Sequence, residues 1–65
     1  MSDETRRACD QAYEIGRCAF WNGYDGMASD YPDFVELCRS SRANVGKLLR
    51  FYAAGYNAAV SGSNV

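Results

Sequence analysis

The stretch Tyr13-Glu14-Ile15-Gly16-Arg17-Cys18-Ala19-Phe20-Trp21-Asn22-Gly23 decides the fold. Its skeleton returns thirty-nine residues later as Tyr52-x-x-Gly55-x-x-Ala58-x-x-x-Gly62. Spacings of three and four belong to a helix and not to the alternation of a strand. A glycine inside a helix costs about 1 kcal/mol against alanine, so two at matching places point to a close backbone approach that offsets the loss. The reading is a hairpin whose two long helices cross at Gly16 and Gly55, with Ala12, Ala19 and Ala59 as small neighbours.

Working outward, Ser2 followed by Asp3 and Glu4 supplies a capping hydroxyl and then acids at the positive end of a helix dipole. The first helix is therefore expected over about residues 3–22, with Ala8, Ala12, Ile15, Ala19 and Phe20 along its apolar face. Asn22-Gly23 gives a left-handed stop, and residues 22–29 read as a loop. Capping side chains and a proline in Ser29-Asp30-Tyr31-Pro32-Asp33 start a second, shorter helix over about 31–41. Phe34, Leu37 and Cys38 form its inner face, and Val35 lies at the edge. Asn44 or Ser41 caps a third helix over about 44–61, whose apolar positions are Val45, Leu48, Leu49, Tyr52, Tyr56, Ala59 and Val60, until Ser61-Gly62 ends it. The fold class is all-α, with residues 1–65 as one small helical domain.

A chain of 65 residues buries only about 60% of the surface its unfolded form exposes. Cores this small rarely supply more than about 3–5 kcal/mol, which makes binding to a target, or homodimerisation, an expectation. Seven Lys+Arg against eight Asp+Glu leave a net charge of −1, which removes the broad electrostatic footprint of a nucleic-acid binder. Any contact with nucleic acid has to be local. The polar start and the short apolar stretches lack a secretory signal or a membrane span, so a cytoplasmic protein with no membrane partner is expected.

Catalysis lacks its usual parts. There is no His, no glycine-rich phosphate loop, and no Ser-His or Cys-His pairing. Cys9, Cys18 and Cys38 match neither a zinc site nor a redox pair, and read as buried thiols. No enzyme activity, cofactor or metal is expected. Asp30, Asp33 and Glu36 stand at the start of the second helix, where compensation of the helix dipole explains them.

The same glycine-notched pattern resembles the ribosome modulation factor family, short bacterial proteins of two helices joined by a loop. Ala12-x-x-x-Gly16-x-x-Ala19-x-x-x-Gly23 looks like that family's first helix, and Tyr52-x-x-Gly55-Tyr56-x-x-Ala59 like its second, with Tyr where the family often has Trp. Tyr31-Pro32 sits where the family carries a Cys-Pro-Tyr element, and the likeness spans most of residues 8–61. The resemblance implies a helical hairpin and ribosome association. Family members that bind ribosomal RNA are strongly basic, whereas this chain is slightly acidic and its connecting segment is longer.

The functional expectation is a binding protein that modulates or inhibits a larger host assembly. Two surfaces are candidates. Trp21 and Tyr24, with Asp25, Asp30 and Asp33, form a protein-binding set: exposed aromatics anchor interfaces, and the acids suit a basic partner. This is the surface expected of a phage- or mobile-element-encoded inhibitor, of the anti-CRISPR kind or another, that covers a basic nucleic-acid-binding face of a host complex. Arg39, Arg42, Lys47 and Arg50 form the RNA-binding set if the family's ribosomal target carries over. The plainer alternatives are that the aromatics close the end of the hairpin, and that the basic residues are solvated charge paired with nearby acids.

Overall fold

A computed structural model describes residues 3–63 of the chain. The proposed cap Ser2 lies outside the described residues. Within these residues three helices, α1 (Asp3–Trp21), α2 (Pro32–Ser40) and α3 (Val45–Ser63), follow one another, with a 3-10 turn at Ala28–Asp30. Among the described residues there is no strand, and no helix is long and apolar enough to cross a membrane. The architecture is the expected all-α hairpin: α1 lies chiefly along α3, and α2 covers part of α1 from the side.

Small residues make the α1 face that packs on α3. Ala8, Cys9, Ala12, Gly16 and Ala19 are all buried, and α3 answers with Leu48, Tyr52, Gly55 and Ala59. The helices meet at the two glycines. A β-carbon on Gly16 would collide with the Tyr52 carbonyl oxygen, and one on Gly55 would collide with the carbonyl oxygen of Tyr13. Each notch thus receives the backbone three residues before the other notch. This reciprocity is the structural content of the repeated Tyr-x-x-Gly.

The echo stops beyond the glycines. Ala19 is buried whereas Ala58 is exposed, and Gly62, expected as the stop of α3, lies inside the helix, where a β-carbon built on it would meet nothing within 4 Å. The physical difference is the company each helix end keeps. α1 runs into a loop held to α3 by the Tyr56 hydroxyl on the Tyr24 carbonyl, while at Gly62 a β-carbon meets only open space.

Helix ends follow local chemistry. Gly23 adopts φ 78°, its N–H donates to the Phe20 carbonyl at 3.0 Å, and the Tyr24 N–H donates to the Ala19 carbonyl at 2.9 Å. That pair of bonds is a Schellman closure, and it ends α1 one residue earlier than expected. α2 has Pro32 in its first turn. Its N-cap is Tyr31, with no side-chain cap bond, so Ser29 and Asp30 do not cap it as the sequence suggested. The Tyr31 side chain is buried in the core instead. Asn44 immediately precedes α3 and caps it, its side-chain oxygen accepting the Lys47 N–H at 3.2 Å, while the Ser41 hydroxyl accepts the Ala43 N–H and shapes the preceding turn.

Two expectations about burial need correcting. Of the three cysteines, Cys9 is buried, Cys38 is half-buried and Cys18 is exposed, because Cys18 falls on the solvent side of α1 between Gly16 and Ala19. Val45 and Leu49 are 53% and 45% exposed, because α2 is too short and too far to the α1 side to cover that edge of α3. Phe34 and Leu37 are buried as expected, and Phe34 packs edge-on against Tyr52 with ring centroids 5.1 Å apart.

Candidate docking surface

Residues on α1 and α2 that face the same side form an open groove of about 530 Å³. Ile15 and Leu37 supply its apolar floor. Asp10 and Glu14, four apart on α1, stand on one bank, and Asp33 and Glu36, three apart on α2, stand on the other. Those spacings put each pair on one helix face. Among the described residues the ion pair at this rim is Glu14 with Arg17, at 3.0 Å, and both side chains are well exposed. Such a pair contributes little to stability, so the groove keeps an acidic character around an apolar floor.

A second surface lies on the other side of α2. Val45, on the first turn of α3, shares a groove of about 270 Å³ with Val35, Cys38 and Arg39 of α2. Further along α3, Leu49, Ala53 and Tyr56 border a groove of about 300 Å³ whose opposite wall is the loop from Asp25 to Ala28. Ser29 lines the first of these grooves and Ala28 the second, so the two meet at the 3-10 turn.

Aromatic rings tie the loop between α1 and α2 to the hairpin. Phe20 is edge-on to Trp21 at 5.1 Å and to Tyr56 at 5.5 Å. The Tyr56 hydroxyl donates to the Tyr24 carbonyl at 2.9 Å, and the Tyr24 hydroxyl donates to the Met27 carbonyl at 2.7 Å. Tyr24 also packs on Tyr31 at 4.9 Å, and the Asn22 amide donates to the Tyr31 hydroxyl at 3.1 Å. Desolvation, then the carboxylates of Asp30 and Asp25, raise the Tyr24 phenol above its ordinary pKa. Desolvation followed by neighbouring phenols does the same for Tyr52, whose buried hydroxyl has no hydrogen-bond partner among the described residues.

These positions divide the acidic and aromatic set read from the sequence. Trp21 is 62% exposed and available, while Tyr24 is half-buried and committed to holding the loop. Asp25, Asp30 and Asp33 are all exposed, yet Asp33 lines the α1–α2 groove and Asp25 lines the groove on the α3 side. They are not one patch. Arg39, Arg42 and Arg50 are exposed and Lys47 half-buried, and among the described residues none of the four is in an ion pair. Arg39 faces the Val45 groove, while Lys47 and Arg50 lie three apart on α3.

Sequence reasoning missed Asp10 and Glu14 as site residues and assigned Glu36 to dipole compensation. The signal was present: Asp10 and Glu14 are four apart, as Gln11 and Ile15 beside them are, on the flank of the small-residue face. Among the described residues no three Cys, Asp or Glu side chains converge to hold a metal ion. The chain matches no family model, no curated protein and no solved structure.

Proposed function

We propose that the chain is a non-enzymatic docking protein that modulates or inhibits a larger assembly by seating a basic protein surface against its α1–α2 groove. The observation that carries this reading is the placement of Asp10, Glu14, Asp33 and Glu36 around Ile15 and Leu37. An apolar floor with a single-signed rim fits an amphipathic basic segment: the floor supplies contact area, and the rim supplies orientation and rate of encounter. A surface that ordinarily holds nucleic acid has that character, so covering it is the form of inhibition proposed. Action in the cytoplasm belongs to the same proposal.

A second reading keeps the ribosome as target, in line with the resemblance to ribosome modulation factors. It is favoured by one observation, the absence of ion pairs at Arg39, Arg42, Lys47 and Arg50 among the described residues, which leaves these cations open to phosphate.

Pull-down from cell lysate distinguishes the two. The Asp33→Lys, Glu36→Lys variant is expected to lose the partner, while Arg42→Glu, Arg50→Glu keeps it, and the recovered material is a protein complex. Recovery of ribosomal subunits that depends on Arg42 and Arg50 and not on Asp33 and Glu36 supports the second reading and rejects the first.

A further inference from the structure

We infer that the α3 edge bearing Val45, Leu49 and Ala53 is a self-association surface, and that its occupant is a second copy of this chain related by a two-fold axis near Leu49. The three residues recur every four positions, so they form a stripe along α3 about 12 Å long at 1.5 Å per residue. Val45 and Leu49 are 53% and 45% exposed. Large apolar side chains gathered along one edge of so small a domain are the pattern of an interface.

Charge identifies the occupant. Arg39 stands at the Val45 end of the stripe and Asp25 at the end marked by Ala53 and Tyr56. Neither is in an ion pair among the described residues. A stripe with a cation at one end and an anion at the other is self-complementary when a copy is laid against it antiparallel. Val45 of each chain then meets Ala53 of the other, and Arg39 of each meets Asp25 of the other. A two-fold interface of this kind uses one patch twice. The patch is small against the ~1,200–2,000 Å² of a stable interface, so the association is reversible and depends on concentration.

Sedimentation velocity tests this from about 10 μM to about 1 mM, the range in which so small an interface is expected to populate. The wild type is expected to approach twice the monomer mass at the upper end. Arg39→Glu and Asp25→Arg each place like charges together at both symmetry-related contacts, and each is expected to weaken association roughly tenfold. An equimolar mixture of these two variants restores opposite charges at both contacts and is expected to regain the wild-type mass. Leu49→Glu is expected to remain monomeric at every concentration. All three positions are exposed, and far-UV circular dichroism of each variant checks that its helices are intact. A wild type that stays monomeric at the top concentration overturns the inference, as does a mixture that associates no better than its components.

Discussion

Gly16 lies directly against the backbone of Tyr52: a β-carbon built on it falls 2.9 Å from the Tyr52 carbonyl carbon and 3.0 Å from the Tyr56 nitrogen. Gly55 meets Tyr13 in the same way, at 2.8 Å from the carbonyl carbon. Backbone cannot swing aside as a side-chain tip can. Alanine at either glycine therefore forces α1 and α3 apart, and overpacking of this sort costs about 1–3 kcal/mol. The helix-propensity gain of about 1 kcal/mol does not compensate. Gly16→Ala and Gly55→Ala are each expected to lower the melting temperature, and Leu at either site to abolish cooperative unfolding. Gly62→Ala, with open space around it, is the control and is expected to be neutral or slightly stabilising. Thermal denaturation followed by circular dichroism checks all of these.

Tyr52 has the opposite character, a side chain whose hydroxyl the fold would be better without. The oxygen is buried and unpaired among the described residues, and leaving such a group unsatisfied costs about 1–3 kcal/mol. Tyr52→Phe keeps the ring contacts with Phe34 and Tyr56 and is expected to raise the melting temperature.

The same phenol sets an alkaline limit. Burial raises the Tyr52 pKa from its ordinary 10.0, and Tyr24 is raised as well. Above that value the unfolded chain releases these protons first, so it binds fewer than the folded chain and stability falls as pH rises. The contribution of these two phenols is complete below pH 10 and is lost above it. Denaturant melts between pH 8 and about 11 are expected to show this decline, with a shallower slope in Tyr52→Phe.

Thiol labelling should resolve the three cysteines in order. Cys18 is exposed and is expected to react first. Cys38 is half-buried and its thiol is pushed up in pKa by desolvation, which lowers the thiolate fraction and slows it. Cys9 is 1% exposed and is expected to react only when the chain unfolds. Mass spectrometry after timed alkylation reads the order directly. Rapid labelling of Cys9 under native conditions would show that the α1–α3 contact opens.

Much of this fold was legible because its decisive residues are small and repeat. Gly16 and Gly55 are costly inside helices, and that cost is visible in sequence before any partner is known. Asn44 and Gly23 announced their caps through side-chain and backbone chemistry that acts locally. Tyr31 did not, because its role as the N-cap of α2 depends on burying its ring against Tyr24 and Tyr52, a tertiary matter. The candidate site was less legible for the same reason. Asp33 and Glu36 are adequate dipole partners for α2 on their own, and only the placement of α2 beside α1 sets them opposite Asp10 and Glu14. Likewise, helical spacing assigned Val45 and Leu49 to the core, since periodicity names a face without saying how far a neighbouring helix reaches across it.

Trp21 stands at the end of a line of touching groups: its indole meets Phe20, Phe20 meets Tyr56, and Tyr56 holds the carbonyl of Tyr24. Since the sequence has one tryptophan, its emission comes from a single known place, the last residue of α1 beside the loop. The molecule thus carries its own optical gauge, and the arrival of a partner, or the loosening of the loop, can be followed in unlabelled protein.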